Sequence, residues 1–265
     1  MKKVCIIGGD ARLKTVKRYL ESQNFFVNTL GLYPDDKADI SLSDIIILPV
    51  PTTRDGNTVF APLTNRVIPL SDIYDKTQDQ LILCCNYNFP KRHCIDYNTL
   101  DSYALLNAVP TAEGAIKIAI ENTDFTLWQS NILVIGYGRV GKILADRLKG
   151  FGANVTVSAR NPRDFATLEA LGFNYINTEK LPSLFLRYDI IFNTVDAEVL
   201  HGDTLKNLPC ALLLDLSSKG GFDLEYAKSI GINAQKAPAL PGKTAPKTAG
   251  KILAKTVVDL IRFYN

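Results

Sequence analysis

Residues 131–161 read NILVIGYGRVGKILADRLKGFGANVTVSARN. An apolar run, Ile132 to Ile135, meets Gly136, Gly138 and Gly141 in the spacing GxGxxG and passes directly into an amphipathic helix. The apolar positions of that helix, Ile143, Leu144, Leu148 and Phe151, recur at helical intervals; Gly152 suits its exit, and Val155 to Val157 reads as a second strand. Strand, glycine turn, helix and strand in this order predict a dinucleotide-binding βαβ unit. Gly136 permits the turn, Gly138 leaves room for a pyrophosphate beside the backbone, and Gly141 lets the helix lie close to the sheet. Tyr137, Arg139 and Val140 complete the turn, where the helix start offers unpaired N–H groups to phosphate.

The end of the second strand discriminates between dinucleotides. An acid there accepts hydrogen bonds from the ribose 2′-hydroxyl of NAD, but this chain has Ser158, Ala159, Arg160 and Asn161. A hydroxyl and a guanidinium suit the 2′-phosphate of NADP, which Arg grips with paired charge-assisted bonds. The plain alternative makes Arg160 and Arg163 solvated charges at a helix start.

With 265 residues and 46% hydrophobic residues, the chain can fill the cores of two ordinary domains. Its net charge of +3 is spread without a polybasic tract, which argues against nucleic-acid or membrane binding. Cys5, Cys84, Cys85, Cys94 and Cys210 lack CxxC spacing and read as reduced thiols, and no cluster accompanies His93 and Cys94 to make a metal site. Apolar Val4 to Ile7 is too short for a signal peptide or a membrane span, so a cytoplasmic location is expected.

Taken in order, Lys2 to Gly8 is a strand leading through GGDAR into a helix over 13–22, followed by strands at 25–30, 45–48 and 81–85. Residues 100–109 read as an extended or partly helical return, and Pro110 and Thr111 open a helix. Beyond the glycine turn come a helix near 163–171, strands at 189–194 and 211–216, a helix at 224–230 and a strand at 233–236. Pro238 to Thr248, PALPGKTAPKT, reads as irregular, and a helix over 249–263 has Ile252, Leu253, Val257, Leu260 and Ile261 as its apolar face. The fold class is therefore α/β, with two Rossmann-like doubly wound parallel-sheet domains separated by a cleft and a C-terminal helix returning to the first. The expected boundaries are an N-terminal substrate or partner domain over 1–110 joined by 249–265, a linking helix over 111–130, and an NADP-binding domain over 131–248.

The nicotinamide end of a cofactor should approach the loops NTVDAEVL and DLSSKGG, which makes Asn193, Thr194, Val195 and Ser217 candidate neighbours. Asn193 and Thr194 could equally cap the following turn. Two-domain 2-hydroxy-acid dehydrogenases rely on a late histidine as acid–base group; His201 lies in a polar turn, and nothing after it could serve. The catalytic acid or base is unassigned.

GGDAR, LPVPTTRDG, NAVPTAEGAI, VIGYGRVG and PALPGKTAPKTAG together resemble the dipicolinate synthase A subunit family over nearly the whole chain. The resemblance implies NADP-dependent oxidation and dehydration of 4-hydroxy-tetrahydrodipicolinate to dipicolinate during sporulation. It also implies, as partner in the mother-cell cytoplasm, the flavoprotein-like B subunit of dipicolinate synthase, with a homodimer left open. A dicarboxylate ligand calls for cations in the cleft, and Arg12, Arg54, Lys243 and Lys247, all read as turn residues, are the candidates, with Asp10 and Thr52 as polar companions. The alternatives are a stand-alone amino- or 2-hydroxy-acid dehydrogenase, or a non-catalytic nucleotide-binding regulatory subunit.

Overall fold

The computed structural model describes residues 2–90, 92–183 and 186–264, so Asn265 of the terminal stretch lies outside the described residues. Strand β1 (Lys3–Ile7) buries Val4, Cys5, Ile6 and Ile7 completely, as a central parallel strand covered on both faces must. Helix α1 (Ala11–Ser22) follows, its first turn capped by the Asp10 carboxylate, which accepts from Arg12 N–H at 2.9 Å. The chain continues through β2 (Phe26–Leu30), β3 (Ile45–Ile47), α2 (Leu70–Lys76), β4 (Leu81–Cys84), β5 (Cys94–Asp96) and α3 (Asp101–Glu121). All pairings are parallel in the order β2-β1-β3-β4-β5, a doubly wound sheet whose strand order reverses between β1 and β3.

The helix expected to open at Pro110 instead starts at Asp101 and carries Pro110 in its interior. Proline removes one N–H from the ladder there, and the carbonyl of Leu106 loses its usual i+4 donor. Buried Tyr103, Ala108, Ala112, Ala115 and Ala119 along the helix explain why it continues, since tertiary packing outweighs one missing bond.

The second set of elements is β6 (Asn131–Ile135), α4 (Arg139–Gly150), β7 (Asn154–Ala159), α5 (Pro162–Ala170), β8 (Asn174–Asn177), β9 (Ile190–Asn193), α6 (Gly202–Asn207), β10 (Leu212–Asp215), α7 (Leu224–Ser229), β11 (Asn233–Lys236) and α8 (Leu240–Thr244). The six strands are parallel in the order β11-β10-β9-β6-β7-β8, with the reversal between β6 and β9. Ile132 and Val134 point into one core while Leu133 and Ile135 point into another, so this sheet is covered on both faces.

Helix α9 (Pro246–Phe263) returns to the first sheet, where Leu253, Ala254, Val257, Val258, Leu260 and Ile261 join the core around Val4, Ile6, Leu13 and Leu20. The proline-rich stretch read as irregular is thus two helices. Pro241 falls in the first turn of α8 and Pro246 opens α9, positions whose N–H groups have no intrahelical acceptor to lose. Two compact units result, Met1–Asn107 with Thr244–Asn265, and Ala108–Lys243.

Candidate functional site

At the carboxyl end of the second sheet, the strand-order reversal coincides with the glycine turn. Gly136 leaves β6 with φ of 97°, and a Cβ built on it would stand 2.7 Å from both Thr194 Oγ1 and Val195 Cγ2. Gly141 is tighter, since its Cβ would meet Gly136 O at 2.1 Å. Gly138, the N-cap of α4, has no side-chain cap and open space where its Cβ would project. The start of this 12-residue helix therefore carries no side-chain cap from Gly138, and an uncapped helix start is the kind of end that can receive phosphate.

Beside this turn lies a hollow of about 320 Å³, lined by Gly136, Tyr137, Gly138, Ala159, Arg160, Asn161, Thr194 and Val195. Eight of the residues read from the sequence as cofactor neighbours are thus brought together. Thr194 holds the floor, its backbone N–H and its hydroxyl donating to Ile135 O at 2.9 and 2.8 Å. Arg160 is exposed at the end of β7, and Arg139 is exposed at the start of α4 with Val140 half-buried beside it.

Three expected neighbours have internal duties. Ser158 is fully buried; its hydroxyl accepts from Gly136 N–H at 3.3 Å and lies 3.0 Å from that of Thr178, so it braces the turn. Asn193, also fully buried, donates through Nδ2 to Val195 O at 3.0 Å and Asp215 Oδ1 at 2.9 Å. Asp215 further accepts from the Ser217 hydroxyl at 2.6 Å and from Gly221 N–H at 2.9 Å, which fastens the exits of β9 and β10 together. Asn193 and Ser217 therefore shape the loops beside the hollow without lining it.

Asp164, Thr178, Ala197 and Val199 line the hollow without having been expected there. Asp164 was legible in principle: Asn161 caps α5, accepting from Asp164 N–H at 2.8 Å and donating to its carboxylate at 2.7 Å. Lys142 Nζ stands 3.9 Å from the same carboxylate. Thr178 had no signal, because it follows β8, a short polar strand.

The cations proposed for a dicarboxylate are differently placed from the expectation that all four lie in turns. Arg12 is the second residue of α1, Lys243 lies in α8 and Lys247 in the first turn of α9; Arg54 alone among them occupies a loop. Arg12 is 4% exposed and commits its guanidinium to Asp10, at 2.8 and 2.9 Å, and to the carbonyl of Val50. It fills the reversal point of the first sheet with the protein's own charge pair. Phe60 O accepts from Gly9 N–H at 2.8 Å above it, which closes over the GGDAR turn.

Thr52, fully buried, exchanges two bonds with Cys85: its N–H donates to Cys85 O at 3.1 Å and its hydroxyl accepts from Cys85 N–H at 2.8 Å. Arg54, Lys243 and Lys247 are exposed, and Arg54 stacks its guanidinium 4.0 Å above the Phe60 ring.

The sheet order, the glycine turn and the hollow at the reversal point define a dinucleotide-binding domain of the dehydrogenase type. Residues 112–200 match the D-isomer specific 2-hydroxyacid dehydrogenase NAD-binding domain, which indicates a nicotinamide dinucleotide and supports an oxidoreductase. Residues 3–93 match the N-terminal domain of the dipicolinate synthase A subunit. The dipicolinate synthase A subunit of Bacillus subtilis strain 168 is 33% identical over 283 residues, which cover 98% of this chain and 95% of that protein. The crystal structure of the dipicolinate synthase A subunit from Bacillus halodurans superposes with a TM-score of 0.90 at 33% identity over 98% of this chain and 97% of that one. Its counterpart from Bacillus subtilis gives a TM-score of 0.90 at 34% identity over 98% and 96% of the two chains. The chain belongs to the dipicolinate synthase A subunit family. Among the described residues no helix is long and apolar enough to cross a membrane.

Proposed function

We propose that this protein uses NADP to oxidise and dehydrate 4-hydroxy-tetrahydrodipicolinate to dipicolinate during sporulation, acting with the flavoprotein-like B subunit in the mother-cell cytoplasm. Family membership and the dehydrogenase-type domain support the reaction class. The overall change is loss of one water and transfer of a hydride with release of a proton, driven by aromatisation of the ring. When bound, the nicotinamide supplies the hydride acceptor.

The chain's own contribution is positional. The glycine turn and the start of α4 hold pyrophosphate, and Thr194 and Val195 wall the hollow beside it. Arg54, Lys243 and Lys247 are exposed cations, each a candidate taken singly for a substrate carboxylate; Arg12 and Thr52, both buried and internally bonded, support the loops instead. His201 is exposed at the start of α6 and pairs with Glu198 at 3.4 Å, a surface placement that weighs against the late-histidine mechanism of 2-hydroxy-acid dehydrogenases.

The observation that carries the NADP reading is Arg160 on the rim of the hollow. Asp164, the carboxylate nearby, is engaged by Asn161 and faces Lys142, which leaves Arg160 to meet a 2′-phosphate. Arg160→Ala should weaken NADP binding by about 1.5 to 3 kcal/mol, the range for a hydrogen bond to a charged group, and leave NAD nearly unchanged. Calorimetric titration of both dinucleotides tests this; equal losses for the two would remove the 2′-phosphate from the account.

A further inference from the structure

Cys84 ends β4 and Cys94 opens the edge strand β5, and their sulfur atoms lie 3.2 Å apart. Cys94 pairs in register with Ile82, so Cys84 stands two residues further along on the same face of the sheet. Both side chains join the core cluster that contains Ile46, Ile82 and Phe89. They differ in access: Cys84 is buried, with its thiol 2.8 Å from Tyr87 O, whereas Cys94 is half-buried and reaches solvent. The hydrogen bond from Cys84 pulls the Cys94 thiol down to about 7 against the opposing effect of burial. Cys84 is pushed up by the same bond and by burial.

The geometry points to a thiol–disulfide exchange pair in which Cys94 attacks a small disulfide from solvent and Cys84 resolves the adduct. In the first step the Cys94 thiolate forms a bond to one sulfur of the incoming disulfide, and the other sulfur departs as a thiolate. In the second, Cys84 gives its proton to solvent and its thiolate bonds to Cys94 Sγ, while the bond from Cys94 Sγ to the remaining small sulfur breaks and that sulfur leaves as a thiolate, which takes a proton from solvent. The protein is oxidised by two electrons and the small disulfide is reduced to two thiols. A thiol near neutrality is well matched to the first role, since the best attacking thiol has a pKa near the ambient pH.

Closing the sulfurs from 3.2 Å to a covalent distance of about 2 Å requires β5 to shift. β5 has three residues and is paired along one side only, so little structure resists. Cys5 and Cys85 are buried and Cys210 is half-buried, and desolvation pushes each thiol up to about 12, so none is a good competitor. The cross-link would tie the sheet edge to β4 one residue before Cys85, where Thr52 anchors the loop after β3.

The test incubates the reduced full-length chain with oxidised glutathione, alkylates remaining thiols and identifies the cysteine peptides by mass spectrometry. The expected product joins the Cys84 and Cys94 peptides with loss of two hydrogens, while Cys5, Cys85 and Cys210 are alkylated. Cys84→Ser should stop at one glutathione on Cys94, and Cys94→Ser should take up none at Cys84. Full alkylation of both cysteines in the wild-type chain, a lasting glutathione adduct on Cys94 beside an alkylated Cys84, or a cross-link to another cysteine would each overturn the assignment. The wild-type outcome decides even where a variant does not fold.

Discussion

Two glycines of the same turn have opposite reasons for lacking a side chain. At Gly141 an added Cβ would lie 2.1 Å from the carbonyl oxygen of Gly136, a backbone atom that cannot move aside without opening the turn. At Gly138 the same atom would meet nothing within 4 Å. Gly141→Ala should therefore cost about 1 to 3 kcal/mol of folding stability, as overpacking does. Gly138→Ala should unfold as the wild type does and still lose dinucleotide affinity, because its methyl group projects where phosphate would approach. Denaturant unfolding beside dinucleotide titration checks both; a Gly138→Ala chain that binds with undiminished affinity would remove the turn from the binding site. The close packing at Gly141 was legible from spacing because the turn is local. The roles of Ser158 and Asn193 were not, because their partners Thr178 and Asp215 are distant in sequence and recognisable only once β8 and β10 are placed.

At the scale of elements, legibility followed length and burial. Strands β1, β6 and β10 are apolar runs buried on both faces and stood out at once. Strands β5 and β8 lie on sheet edges with partly exposed residues, so their composition carries no alternation to detect. Prolines misled twice: once inside α3, where packing overrides the local preference, and once at α8 and α9, where they sit in first turns. Irregular segments are held just as specifically. The loop after β3 is pinned by Thr52, whose backbone carbonyl also accepts from Phe60 N–H at 2.9 Å. Thr52→Val keeps the shape but leaves the buried Cys85 N–H without its acceptor, a loss of about 1 to 3 kcal/mol, whereas Thr52→Ser keeps the bond. Urea unfolding of the two variants gives the comparison, and a Val variant as stable as the Ser variant would show that the hydroxyl contributes nothing.

At the scale of the whole molecule, the first unit is discontinuous in sequence: its core is completed by α9, which the chain makes only after the second unit has been built. Helix α9 buries Leu253, Val257, Val258, Leu260 and Ile261, and its Gly250 approaches α1 closely enough that a Cβ would lie 2.7 Å from Arg12 O. At about 1.5 to 3 kcal/mol per buried aliphatic side chain, the five large residues contribute on the order of 8 to 15 kcal/mol. That is comparable with the entire stability of an ordinary domain, about 5 to 15 kcal/mol, so the first unit should not survive without the helix. The second unit has its own cores on both faces of its sheet, and it contains the single tryptophan, Trp128. The indole lies against Gly152 at the exit of α4 but is 63% exposed, so the buried strands β6, β9 and β10, read by amide hydrogen exchange, report on this unit's folding. A chain ended after Ala245 should lose the far-ultraviolet circular dichroism of the first unit while the amides of β6, β9 and β10 keep their full-length protection against hydrogen exchange. Retention of the first unit's dichroism would mean that α9 is dispensable, and loss of protection in β6, β9 and β10 would mean that the second unit depends on the first. The expected outcome follows from where the buried apolar side chains are, since each unit can be only as stable as the core it completes.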